Sequence, residues 1–216
     1  QKQSIAMTGC NMTGNSGNSS GGVIFLIDWT SGSAGSITLT DCRLIGNHVA
    51  DFGGAITMYA GSANDMHILE INNCLLESNT AVNQGGVVSI ATNGYQQVTL
   101  VDSTWRNNHG SYGGVCSLGG DPNGPVKIDW LVVHNNTFEN NYATQSGGAL
   151  WVNQGNNASF QSNTWRNNSA ATQGGHLKGT TGTLTITNDT FGHIGGGTES
   201  LYLWPSINTY FEVTNL

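Results

Sequence analysis

Apolar and polar residues alternate over short stretches of this chain, and the stretches recur. "SITLTDC", "ILEINNC", "QVTLVDS", "WLVVHNN" and "TLTITND" each place an apolar residue at every second position, the period of a half-buried strand. Aligned, they give two columns of inward positions. The first is Ile5, Ile37, Leu69, Val98, Leu131, Ala158 and Leu184; the second is Met7, Leu39, Ile71, Leu100, Val133, Phe160 and Ile186. Another strand pattern follows a Gly-Gly pair in "GGVIFLID", "GGAITMYA", "GGVVSIAT" and "GGALWVNQ". There the second and fourth residues after the pair point inward. No stretch carries the 3.6-residue period of an amphipathic helix.

The Gly-Gly pairs set a repeat. They begin at Gly21, Gly53, Gly85, Gly113, Gly147 and Gly174, with a seventh near Gly195. Their spacings are 32, 32, 28, 34, 27 and 21 residues. Before each pair comes a large apolar residue: Met12, Leu44, Leu76, Trp105, Phe138, Trp165 and Phe191. Three residues later comes Asn15, Asn47, Asn79, Asn108, Asn141 or Asn168; the seventh copy has Ile194. A short third strand is expected around the aromatic. Coils of this length, built of strands, signal a β-solenoid, because a propeller blade needs about 40–50 residues. The expected fold is all-β, a right-handed parallel β-helix of about seven coils forming a single domain over residues 1–216. "NTYFEVTNL" begins an eighth coil. Seven rungs at ~4.8 Å make a rod of roughly 34 Å.

In such a rod each repeat position becomes a column along the axis. The six Asn are expected to form an amide ladder. The aromatics should fill the core. Glu77, Arg106, Glu139 and Arg166 fall just after them in four successive coils, so this column is expected to be attractive along its length. The Gly-Gly pairs should supply a corner that needs positive φ or close backbone approach.

Composition agrees with a fold held by uncharged polar groups. Charged residues are only 9% and Asn numbers 26 of 216. A net charge of −7 argues against nucleic acid as a partner, which needs a basic footprint. No apolar run approaches the ~20 residues of a membrane span.

The paired motifs, "FENN" at Phe138, "GGAI" at Gly53 and "GGAL" at Gly147, resemble the Phe-x-x-Asn and Gly-Gly-Ala-(Ile/Leu/Val) repeats of the chlamydial polymorphic outer-membrane proteins and related surface β-helices. The resemblance runs along essentially the whole chain, with Met, Leu or Trp often in place of Phe and Val in place of Ala. It implies an extracellular or surface-exposed domain acting in adhesion. No counterpart of that family's C-terminal membrane barrel is visible.

Candidate chemistry is sparse. Right-handed β-helices include polysaccharide lyases and hydrolases, so Asp41 and Asp102, in one column with Asn73 between them, merit attention. By rung count they stand ~9.6 Å apart, near the upper limit for an inverting pair, but nothing basic lines up beside them. Strand-end hydrogen bonding explains them, and the expectation is no enzyme, no cofactor and no metal. His48 and His109 share a column two rungs apart, without the spacing of a zinc site.

Cys10, Cys42 and Cys74 occupy one column at a spacing that a disulfide can bridge. Three in a column admit either one disulfide with a free thiol or a ladder of thiols. Cys116 lies at an inward position. Asn11, Asn18, Asn135, Asn157, Asn167 and Asn188 are N-glycosylation sequons, no more than chance predicts for this composition, and none is a ladder Asn. The connections "TSGSAG", "AGSANDMH" and "LGGDPNGPVKIDW" would cluster at one corner, the best place for a loop-borne ligand.

The chain begins in "SIAMTGC" and stops in "YFEVTNL", with no capping helix. Two explanations fit such ends: the chain is a segment of a longer solenoid, or protomers stack head to tail. Ile5, Met7, Tyr210, Phe211 and Val213 are read as assembly ends, and head-to-tail self-association is the expected partnership. The leading expectation is an extracellular structural β-helix, a surface or filament subunit. The alternative is a monomeric adhesin that binds glycan or protein through its corner loops.

Overall fold

The computed structural model describes residues 2–28, 34–60, 66–92, 94–119, 127–193, 199–203 and 210–214. Among them there is no helix, and every strand pair is parallel. A representative coil runs through four strands: Ala34–Thr40, Arg43–Ile45, His48–Val49 and Ile56–Ala60. Each pairs with its counterpart one coil away, which is the architecture of a parallel β-helix.

Three sheets result. The equivalents of Arg43–Ile45 form a seven-stranded sheet from Asn11–Thr13 to Thr190–Phe191. The equivalents of His48–Val49 form a six-stranded sheet from Ser16–Gly17 to Ser169–Ala170. The two longer strand types belong to one 13-stranded sheet. They join because Leu150–Gln161 and Leu177–Thr187 each run unbroken from one face into the next.

The register follows the alternation. Ile5, Ile37, Leu69, Val98, Leu131, Ala158 and Leu184 pair in sequence, and so do Met7 through Ile186. From the second coil onward both columns are buried. At about 1.5–3 kcal/mol for each fully buried large aliphatic side chain, a one-residue slip would cost most of the core. Tyr210–Thr214 lies in register on Thr183–Thr187, the start of the eighth coil.

The aromatic column stacks as expected. Trp105–Phe138, Phe138–Trp165 and Trp165–Phe191 have ring centroids 5.9, 4.2 and 5.7 Å apart, all nearly parallel. Both roles anticipated for Gly-Gly occur, one per residue. The first glycine of each described pair has φ between 57° and 68°. At the second, from Gly22 to Gly148, a side chain would run into the carbonyl oxygen of the equivalent glycine in the next coil.

Three features differ from the sequence reading. The residue directly after Gly-Gly is also buried, as Ala55, Val87, Val115, Ala149 and His176 show. Thr57, Ser89 and Ser117, two positions further on, are buried despite their outward parity. The segment before Gly-Gly explains two of these: Thr57 donates to the Phe52 carbonyl, and Ser117 to Gln84 Oε1.

Direct ion pairs do not run through the whole charged column, although Glu139 attracts Arg106 as well. Arg106 pairs with Glu77 and Arg166 with Glu139, each at 3.0 Å. Each Arg reaches back one coil, which leaves two separate pairs. The four cysteines are free thiols, which accords with the ladder, one of the two arrangements the sequence left open. The seventh Gly-Gly, near Gly195, and Ile194 lie outside the described residues.

Candidate functional site: two axial ladders and a corner groove

The Asn ladder is complete through six coils. Asn15, Asn47, Asn79, Asn108 and Asn141 each direct the backbone N–H and Nδ2 to Oδ1 of the Asn in the following coil, at 2.8–3.1 Å. From Asn47 onward, Nδ2 also donates to the carbonyl of the core residue in the preceding coil: Met12, Leu44, Leu76, Trp105 and Phe138. Each interior Asn therefore gives two amide bonds and accepts two. That full satisfaction is what permits Asn to be buried in every coil from the second to the sixth.

The ladder needs a terminal acceptor where the seventh copy departs from Asn. His176 supplies it. Its Nδ1 stands 3.0 Å from Asn168 Nδ2, and its Nε2 stands 3.3 Å from the Gly192 carbonyl. Those partners fix a neutral ring that accepts at Nδ1 and donates at Nε2. Burial lowers the His176 pKa below its ordinary value.

A second ladder was hidden in the sequence by changing residue types. The cysteine column continues as Ser103, Asn136, Asn163 and Asp189. The backbone N–H of each member from Cys42 to Asn163 donates to the side chain of the next: Cys74 Sγ, Ser103 Oγ, Asn136 Oδ1, Asn163 Oδ1 and Asp189 Oδ1. Trp105 and Trp165 join through their indole N–H, to Asn136 Oδ1 at 3.1 Å and Asp189 Oδ2 at 2.8 Å. The shared signal was the position before the apolar residue, not the amino acid. Thiols, a hydroxyl and carboxamides all serve because each offers one acceptor to the N–H. Burial pushes the Cys74 thiol up to about 11 and raises the Asp189 carboxyl above its usual range. Cys116 is raised as well, by burial alone.

Above the cysteine part of this ladder lies an open groove of about 440 Å³. Asp41, Asn73 and Asp102 form one wall, Arg43, Thr104 and Arg106 the other, and Cys42 and Cys74 the floor, so two basic side chains share the groove with Asp41 and Asp102, where the sequence aligned none. Backbone geometry accounts for the first wall. Gly9, Asp41, Asn73, Asp102, Asn135, Ser162 and Asn188 all have φ between 50° and 63°, a region that Gly, Asn and Asp tolerate best. Asp41 accepts from Asn73 Nδ2 at 2.6 Å, which ties the wall together across one rung. A second left-handed column runs through Gly14, Gly46, Ser78, Asn107, Asn140 and Asn167.

The remaining candidates are dispersed. His48 and His109 both pair with Thr80, one coil on either side of it. His109 instead stacks on Tyr142, with centroids 5.2 Å apart. Among the described residues no group of His, Cys, Asp or Glu could hold a metal ion. Five sequon Asn, at 11, 18, 135, 167 and 188, are exposed, while Asn157 is half-buried on the outer face of the large sheet. Ile5 and Met7 are half-buried on the first rung; Tyr210 and Val213 are exposed on the last. The Phe211 side chain lies outside the described residues, as do most of the three corner connections. No helix among the described residues is long and apolar enough to cross a membrane.

Residues 137–153 match the model of the Chlamydia polymorphic membrane protein (Chlamydia_PMP) repeat. That segment holds both halves of the motif, "FENN" and "GGAL", in one coil. No curated protein and no solved structure matches the chain.

Proposed function

We propose that this chain is a non-catalytic structural β-helix displayed outside the cell, at a surface or in an extracellular filament, with rods joining end to end. The observation that carries the reading is the pair of buried ladders. They direct the buried carboxamides, thiols and hydroxyls of successive coils to the neighbouring coil rather than to a ligand. The match to a membrane-protein repeat at residues 137–153 supports the surface location. End-to-end contact, with a second rod or with further coils of the same chain, suits the edge strands: among the described residues Lys2–Thr8 pairs with Ala34–Thr40, and Tyr210–Thr214 with Leu177–Thr187. Each leaves a backbone edge that a further parallel rung fits.

The non-catalytic part is supported by the groove wall. Asp41 and Asp102 hold a left-handed corner that Gly, Asn or Ser occupies in the other coils, which accounts for both without a reaction. Sedimentation and electron microscopy across a concentration series test the proposal. End-to-end species that grow with concentration are expected; monomers alone at the highest concentration would overturn the joining. Cleavage of acidic polysaccharides, abolished by Asp102→Ala, would overturn the non-catalytic reading.

A further inference from the structure

The outer face of the large sheet carries aromatic surface that neither ladder uses. Trp130 is 51% exposed, whereas Trp105, Trp151 and Trp165 are buried. A β-bulge places it there. Gln96 and Gln97 pair with Ile128 and Trp130, so Asp129 is the extra residue. The bulge puts two successive non-core residues between the buried Ile128 and Leu131, re-aiming the second of them outward.

Trp130 lies in an uncharged column. The register runs Ser4, Ser36, Ile68, Gln97, Trp130, Asn157, Thr183 and Tyr210. Not one carries a charge, although the chain has a net charge of −7. With rungs ~4.8 Å apart, a carboxamide flanks the indole on each side, Gln97 before it and Asn157 after it. Tyr210, 58% exposed, stands three rungs further along, ~14 Å away. Beside the column, Met66 and Tyr95 pair and are about two-fifths exposed.

We propose that this column is a binding track for a neutral polysaccharide lying along the rod axis. A pyranose ring has an apolar C–H face and a rim of hydroxyls. The exposed indole suits the face, since aromatic side chains bury large flat apolar area. The carboxamides of Gln97 and Asn157 offer donors and acceptors to the rim; Asn157 Nδ2 gives one N–H to the Asp129 carbonyl at 3.3 Å and keeps the other. The absence of Arg and Lys from the column disfavours uronic-acid polymers, whose carboxylates call for charged donors. Trp130 stands three rungs from Tyr210, so its replacement leaves end-to-end joining intact.

Affinity electrophoresis tests it, with protein made in a bacterial host so that Asn157 carries no glycan. The gels contain hydroxyethyl cellulose, xyloglucan or glucomannan, with polygalacturonate as the acidic comparison. Wild type should be retarded in at least one neutral gel and not by polygalacturonate. Trp130→Ala should weaken that retardation about tenfold, the scale of one lost aromatic contact, with Trp130→Phe retaining most of it. An unchanged melting temperature and sedimentation profile for Trp130→Ala would show that fold and joining persist. Free migration of wild type in every neutral gel, or equal retardation of Trp130→Ala, overturns the proposal.

Discussion

Replacing Asn108 by Ala removes one rung of the amide ladder from the middle of the rod. Asn108 is 1% exposed. Its Oδ1 accepts from the Asn79 backbone N–H and from Asn79 Nδ2, and its Nδ2 donates to the Leu76 carbonyl and to Asn141 Oδ1. Truncation leaves the Asn79 N–H buried without its acceptor, which costs about 1–3 kcal/mol. The three other lost bonds are each worth about 0.5–1.5 kcal/mol net. Because these effects overlap, the expected total is about 3–5 kcal/mol. For a domain of this size that lowers the melting temperature by roughly 6–20 °C. Thermal and urea unfolding followed by circular dichroism measure it, with exposed Asn18→Ala as the comparison. A shift for Asn108→Ala no larger than for Asn18→Ala would refute the reasoning that the ladder amides hold the coils.

Other consequences follow from the ladder ends, the corners and the thiols. Neutral His176 has a lowered pKa, so its contribution to stability is complete above about pH 6.5 and is lost as pH falls from there toward the native value. An NMR titration should place its pKa below the ordinary 6.5, and titration at or above 6.5 would contradict the cap. Asp189 has the opposite sign. Its raised pKa makes its contribution complete below about pH 3.9 and lost as pH rises through the native value. Asp189→Asn, which can adopt the bonding of Asn136 with Trp105, should therefore raise the melting temperature at pH 7 and lose that advantage below pH ~4. Gly46 and Gly53 both have positive φ, but a side chain at Gly46 meets open space and one at Gly53 meets the Ile56 carbonyl. Gly46→Asn should change stability by less than about 1 kcal/mol, whereas Gly53→Asn should prevent a stable fold. A thiol reagent should label the half-exposed Cys10 first and slowly reach Cys42, Cys74 and Cys116, with all four reacting in denaturant; only two reacting there would establish a disulfide.

The columns with constant chemistry were legible in the sequence. Asn15 to Asn168, the aromatics and the alternating Ile, Leu and Val recur at one offset from Gly-Gly, one residue shorter in the fourth copy alone, so alignment gives their register. Where the chemistry of a column changed, the eye lost it. Cys74, Ser103, Asn136 and Asp189 share no residue type, only the ability to accept one N–H. The left-handed corners were hidden similarly, because Gly9, Asp41, Asn73 and Ser162 look unrelated until their common φ is known. His176 was opaque for a different reason. It caps the ladder from a position eight residues beyond Asn168, a place that is apolar in the preceding coils. The two ion pairs show the limit of reading a column: alternating signs predict attraction, but side-chain reach decides which neighbour is chosen.

Side chains of one coil hold the backbone of the coil before it, in a fixed direction. Amide hydrogen exchange by NMR on Asn108→Ala tests this directly. The Asn79 N–H, whose acceptor is Asn108 Oδ1, should lose most of its protection. The Asn141 N–H, which donates to Asn168 Oδ1, should keep its own. Equal loss at both sites, or loss at Asn141 alone, would contradict the account.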